Sequence, residues 1–195
     1  MSRSRHPAVP RVVLAPPGSP LTDFERRLIL ETANAMVYEA GRTTLALALR
    51  GSRNKKLEKF KADQLPGFGH YKGLREEEVI TRIDQLIHEG LLSIEPSRDG
   101  FPLLGFTPQG LALVEGWTAE RWLEQLHEHR AEPFHPPFAY DRLPERNVRT
   151  LHLLLDALEK EADATWLPVL KHWTSVDVKK VRARLDPLIK RLEAD

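Results

Sequence analysis

The chain has 195 residues and no cysteine. That excludes disulfides and thiolate-held zinc, and it fits a reducing, cytoplasmic setting, on the nucleoid if the source is bacterial. No apolar run approaches the roughly 18–20 residues of a helical membrane span, so no membrane partner is expected. Arg3 and Arg5 stand at the N-terminus with no apolar segment behind them, so this end does not read as a secretory signal. Charge of one sign is also lacking: the net charge is +1, and bulk electrostatics do not announce a polyanionic partner. No Gly-x-x-x-x-Gly-Lys-Ser/Thr phosphate loop occurs, which excludes that kind of ATP-driven motor. No spacing supports a Ser/His/Asp arrangement or paired catalytic carboxylates. The chain is therefore read as non-enzymatic and without a cofactor. His127 and His129 face different ways on a helix. With His135 they could converge only around a bend, so no metal site is assigned.

Proline is present and concentrated. Residues 1–20 hold five prolines, three arginines and no acid, the composition of a flexible arm. Its Arg3, Arg5 and Arg11 could touch phosphates. Residues 133–144 hold four prolines in twelve and read as a linker or rigid loop. These stretches frame a first module over 21–116, a helix and linker over 117–144, and a C-terminal helical module over 145–195.

In the first module, Thr22 or Asp23 caps a helix running toward Ala40, with Phe24, Leu28, Ile29, Ala33, Met36 and Val37 at helical spacing. Gly41 is its stop, and Thr43 or Thr44 caps a second helix that reaches Arg50 and ends at Gly51. Ser52 or Asn54 starts a short third helix, Lys55 to Phe60. The clearest helix follows, with Glu76, Glu77 and Glu78 at its start, an apolar stripe through Val79, Ile83 and Leu86, and Gly90 closing it. Leu91–Ile94 and Leu103–Phe106 read as two strands joined at Ser97–Gly100, with Phe101 just beyond the turn. Thr107 and Pro108 open another helix, and residues 118–132 read as a separate one. Helices followed by a two-stranded hairpin make the order of a winged helix-turn-helix. The fold class is thus mainly α with a small β-wing, followed by a small helical module. That module carries apolar stripes on Val148–Leu158, Trp166–Trp173 and Val178–Leu192. Trp166 and Trp173 read as core, Ser175 or Asp177 caps the last stretch, and Pro187 is expected to kink it.

Between Arg50 and Arg75 there are eight basic residues against Glu58 and Asp63, a local excess of six in a near-neutral chain. Arg50-Gly51-Ser52-Arg53-Asn54-Lys55-Lys56 falls where one helix ends and the next begins. Glycine lets a backbone approach a ligand closely, Ser52 offers a hydroxyl and a backbone N–H, and the cations supply charge, a set suited to phosphate oxygens. The helix in the recognition position is acidic instead, with Glu76, Glu77, Glu78, Asp84 and Glu89 against Arg82. Laid along a DNA groove it would press carboxylates toward phosphates. The expected contacts therefore lie at helix termini and the wing.

Several motifs recur together here: Arg50-Gly51-Ser52-x-Asn54, Asp63-x-Leu65 with Phe68-Gly69-x-x-Lys72, Leu86-Ile87-x-x-Gly90, and Leu104-x-Phe106-Thr107. In this order they resemble the RQC domain, the winged helix at the C-terminus of RecQ-family helicases. The resemblance covers about half the chain. It implies recognition of duplex DNA or duplex/single-strand junctions through the phosphate backbone, in repair, replication or recombination. Carried over, Arg50 and Ser52 are phosphate contacts, Arg53, Lys55 and Lys56 share the basic region, and Lys72 is the lysine after the Phe-Gly. Phe101 matches the wing-tip residue that stacks on a terminal base pair, with core packing under the wing as its other reading. The four-cysteine zinc subdomain and the helicase core of those enzymes have no match, so a free-standing domain is expected, beside a helicase or other protein reached through the C-terminal helices. Two other readings stay open: a winged-helix transcriptional regulator with a helical dimerisation module, and a protein-interaction module that has lost DNA binding.

Overall fold

A computed structural model describes residues 12–131 and 147–194. Arg3, Arg5, Arg11, His135 and the proline-rich 133–144 stretch lie outside the described residues. The chain divides into two compact units, Met1–Val114 and Glu115–Asp195.

The first unit is a winged helix built from α1 (Asp23–Asn34), α2 (Arg42–Leu49), α3 (Glu76–His88), the hairpin β1 (Leu92–Pro96) and β2 (Pro102–Phe106), and the start of α4 (Pro108–Ala131). A 3-10 helix, Lys55–Phe60, and a short 3-10 turn, Ala62–Gln64, lie between α2 and α3. Thr22 caps α1 by accepting the Glu25 N–H, while the Glu25 carboxylate accepts the Thr22 N–H at 3.1 Å. The helix ends at Asn34, short of the expected Ala40. The reason is tertiary: Tyr38 N–H donates to the Leu104 carbonyl at 2.7 Å, and Leu104 N–H donates to the Ala40 carbonyl at 2.8 Å. Those groups cannot serve a helix and the wing at once. Phe24, expected on the apolar stripe, is exposed and meets His70 edge-on. Helix α2 starts at Gly41, without a side-chain cap, rather than at Thr43 or Thr44.

The wing is antiparallel, with Leu92 opposite Phe106 and Ile94 opposite Leu104. Leu92 and Leu104 turn into the core with Ile29, Leu45, Ile83 and Leu86. Thr107 ties the return strand to α4: its hydroxyl donates to the Gly90 carbonyl at 2.6 Å and accepts the Gly110 N–H at 3.1 Å. Helix α4 then runs unbroken through Gly116, where two helices were expected. Glycine inside a helix costs only about 1 kcal/mol relative to alanine, which packing readily overrides.

Two carboxylates of α3 counted as outward-facing are not. Asp84 is 1% exposed, and both its oxygens lie 2.6 Å from Arg42 Nη1. Ala15 N–H adds a third bond at 2.8 Å. Glu89 accepts from Arg26 Nε at 3.0 Å. Ala15 and Gly18 thus bind α3 side chains, and the Ala15 carbonyl lies 2.8 Å from His88 Nε2. Residues 12–20 therefore run along α3 rather than forming part of a free arm.

In the second unit, α5 (Val148–Glu161), a 3-10 turn (Ala164–Trp166), α6 (Leu167–Val176) and α7 (Lys179–Ala194) close around Leu154, Leu158, Trp166, Leu170, Trp173 and Leu185. Both tryptophans are core, as expected. Asp177 holds the corner between α6 and α7. Helix α7 continues through Pro187, which is exposed and has no N–H to return to the preceding turn.

Arg42→Ala should destabilise the first unit by about 3–5 kcal/mol, because the Asp84 charge stays buried without its partner. Arg42→Met with Asp84→Leu should recover most of that loss in urea unfolding. Acid provides a second test. Hydrogen bonds from the Thr22 backbone and hydroxyl hold the Glu25 carboxyl below its usual 4.5. Burial pushes Glu89 up, but bonds from Arg26 and Gln85 outweigh it and leave Glu89 lowered as well. Depressed carboxyls give stability that is full above the unfolded carboxyl range and lost as pH falls through the lowered values. The melting temperature should drop on that acid limb, and Arg26→Gln should flatten the drop.

Candidate nucleic-acid interface

The end of α2 organises the basic region. A helix leaves its last four carbonyls without intrahelical partners, and here each is answered. Arg50 N–H donates to Ala46 at 3.0 Å, Ser52 N–H to Leu47 at 2.9 Å, Gly51 N–H to Ala48 at 2.9 Å and Tyr71 N–H to Leu49 at 2.8 Å. Gly51, with φ +70°, makes the Schellman turn. Gly69 N–H adds a second bond to Ala48 at 3.1 Å. The two glycine motifs, distant in sequence, thus meet back to back. A Cβ on Gly51 would stand 2.9 Å from the Gly69 Cα.

This contact brings Arg50, Ser52 and Lys72 to one end of α2. Cations are favoured there by the helix dipole. Arg50 is half-buried: Nε donates to the Leu74 carbonyl at 2.8 Å and Nη1 lies 3.8 Å from Glu76. Its guanidinium therefore also fixes the entry to α3. The Ser52 backbone N–H, expected to be available to a phosphate, is spent on the Schellman bond to Leu47. The hydroxyl accepts the Asn54 N–H at 3.2 Å and keeps its own proton to donate. Asn54 caps the following 3-10 helix by accepting the Lys56 N–H at 3.0 Å.

Arg53, Lys55, Lys56 and Lys72 are exposed. Lys55, Lys56 and Lys59 line a shallow cleft of about 350 Å³ with Ala40 and Thr44. Because the Ala40 carbonyl binds Leu104, this cleft lies beside the root of the wing. Sequence reasoning missed it, since its two walls, within 39–44 and 55–60, come together only when the chain folds. Lys59 is partly neutralised by Glu39 at 3.1 Å.

Phe101 is 65% exposed, so it is a surface aromatic and not core under the wing. Its position is held: Ser97 N–H donates to the Phe101 carbonyl at 2.8 Å, and Phe101 N–H donates to Ser97 Oγ at 2.9 Å. Gly100, with φ +79°, closes the turn. Phe101 and the α2 cluster are separate parts of one unit.

The carboxylates left facing out on α3 are in its first turn, Glu76, Glu77 and Glu78. Glu78 accepts from the Arg75 backbone at 2.8 Å, and this bond holds its carboxyl below the usual range. Fewer carboxylates face solvent than the sequence count of five, but those that remain crowd the end of α3 that a recognition helix presents to bases.

A family model for the RQC domain matches residues 25–129. The chain belongs to the RQC-domain family. This is a winged-helix, DNA-binding family, and the match spans the α2 cluster, the acidic helix and the wing. No curated protein and no solved structure matches the chain. Among the described residues, no helix is long and apolar enough to cross a membrane, and no group of three or more His, Asp or Glu could hold a metal ion. His127 lies 2.7 Å from Glu161 and packs edge-on against Trp166.

The Gly51–Gly69 contact can be tested apart from any ligand. Gly90 also has positive φ, +71°, but a Cβ there would meet nothing within 4 Å. Gly90→Ala should cost about 1–2 kcal/mol, the left-handed penalty alone. Gly51→Ala carries that penalty plus the clash and should cost more in thermal or urea unfolding. Equal losses would show that the loops separate freely.

Proposed function

We propose that this protein is a non-enzymatic DNA-binding module that grips duplex DNA or duplex/single-strand junctions through the phosphate backbone. The observation that carries the reading is the back-to-back packing of Gly51 and Gly69. It gathers Arg50, Ser52 and Lys72 at the end of α2 and sends Arg53, Lys55 and Lys56 outward from there. Backbone recognition needs cations and hydroxyls in a fixed frame, not a base-reading helix. The acidic first turn of α3 argues against lengthwise docking in a groove. Arg50, Ser52, Arg53, Lys55, Lys56 and Lys72 are assigned to phosphates, with Arg50 serving the fold as well.

Phe101 is assigned to the exposed base pair at a duplex end. An aromatic face gives about 1–3 kcal/mol per stacked base without sequence preference, and the Ser97 clamp reduces the entropy lost on binding. DNA repair, replication or recombination is the fitting setting, in the cytoplasm or on the nucleoid. A helicase supplied by another chain, or another protein, would be met through the C-terminal helices.

The test is binding of the full chain to blunt duplex, forked duplex and single strand over a salt series. Backbone recognition gives a steep loss with salt and little dependence on sequence. Lys55→Glu with Lys56→Glu should weaken all duplex binding and lower the salt slope by about 2. Tight binding to one palindromic sequence would instead indicate a regulator, and no binding at low salt would leave only the protein-interaction reading. Phe101→Ala should weaken fork binding roughly five-fold or more and plain duplex binding much less. Equal losses would remove the stacking role.

A further inference from the structure

The second unit ends in two helices joined by a two-residue corner, and the last of them opens with the positive charge that the first turn of α3 lacks. Helix α6 (Leu167–Val176) and α7 (Lys179–Ala194) are joined by Asp177 and Val178. The corner is tightly built. Trp173 Nε1 donates to Asp177 Oδ2 at 2.6 Å, Val178 N–H donates to Asp177 Oδ1 at 2.6 Å, and Asp177 N–H donates to the Trp173 carbonyl at 3.1 Å. Asp177 is 8% exposed, so these bonds are shielded from water and hold one geometry. Helix α5 completes the trio through Arg184, which lies 2.8 Å from Asp156 and 2.6 Å from Glu159. The three helices thus share one core, with a rigid two-residue corner before the third.

The cations of α7 fall into two sets. Arg184 and Arg191 are engaged by α5, the latter donating to the Glu159 carbonyl at 2.9 Å. Lys179, Lys180 and Arg182 are exposed, and none pairs with a described carboxylate. They do not serve the helix itself, because its dipole disfavours positive charge in the first turn. Val181, Leu185, Leu188 and Leu192 are buried, so Lys179, Arg182, Ala183 and Lys190 share the outward side. Ala183 is small enough to let a partner approach the backbone, and Asp186 and Glu193, the latter 2.6 Å from Lys171, are the carboxylates on that side. Exposed Val176 and Val178 flank the corner.

We infer that the outward face of α7 is a second duplex-DNA contact, made to the phosphate backbone and independent of the RQC face. The choice of DNA over an acidic protein rests on the proposed function. A rigid helix start with exposed cations that lack carboxylate partners suits phosphate oxygens without reading base sequence. Here that part carries three unpaired cations and no acid, where α3 carries three glutamates.

The experiment uses the full chain on a 40-base-pair duplex over a salt series. One variant carries Lys179→Glu, Lys180→Glu and Arg182→Glu; a second carries Lys55→Glu, Lys56→Glu and Lys72→Glu; a third combines them. The first should lose at least about ten-fold in affinity and lower the salt slope by about 2–3. The combination should lose more than either parent. Lys179→Arg with Lys180→Arg should retain binding, which separates charge from fold. If the α7 variant matches wild type in affinity and slope, the inference is overturned whatever the second variant does. If the α7 variant loses DNA and the second does not, the RQC-face reading fails and this one stands. Loss of an acidic protein probe with unchanged DNA binding would also overturn it.

Discussion

Asp84 sits in the middle of α3, buried from solvent, and a buried carboxylate must be answered by donors or it unfolds its surroundings. Arg42 at the start of α2 answers it, and Ala15 adds a backbone N–H. The N-terminal unit depends on this pair in two ways. It fixes the approach of α2 to α3, the two helices whose relative placement defines a helix-turn-helix. It also draws residues 12–20 down along α3, which turns a proline-rich stretch into part of the fold. With α2 held at its start by Asp84, its far end is where the two glycine motifs meet, and the basic cluster inherits its position from that helix.

The second constraint is backbone accounting at helix ends. Helices α2 and α3 close with the same device, a left-handed glycine followed by a residue whose N–H reaches back to the last turn: Gly51 with Ser52, and Gly90 with Leu91. At α3 it only turns the chain into the wing. At α2 the added bonds from Gly69 and Tyr71 make it a junction between segments. The proposed phosphate-binding surface would rely chiefly on side chains here, because the Ser52 N–H is already used. This moves the chemical weight from the Ser52 N–H to its hydroxyl and to the exposed lysines and Arg53.

Charge divides the two units along similar lines. The RQC-family unit has an acidic α3 and places its free cations in the loop before it. The C-terminal unit has the reverse, with free cations at the start of α7 and two later arginines of that helix, Arg184 and Arg191, held by α5. Counting residues along the sequence could not separate these classes. Arg182 and Arg184 look equivalent in sequence, yet one faces solvent and the other closes onto Asp156 and Glu159. Asp84 and Glu89 likewise looked like part of a solvated acidic face.

The sequence alone determined most local features: a cap at Thr22 or Asp23 and another at Ser52 or Asn54, the Gly51 and Gly90 stops, the strand pairing about Ser97–Gly100, the Thr107-Pro108 helix start, and the RQC motifs. Each depends on groups within a few residues of one another, so propensity and spacing suffice. Tertiary structure decided where α1 stops, because Leu104 takes the Tyr38 and Ala40 backbone groups. It decided that Gly116 would not break α4, that Asp84 is buried, and that Phe101 is exposed. It also decided that Gly51 touches Gly69. These depend on which distant atoms compete for one donor, acceptor or volume, and that competition exists only once the chain has closed on itself.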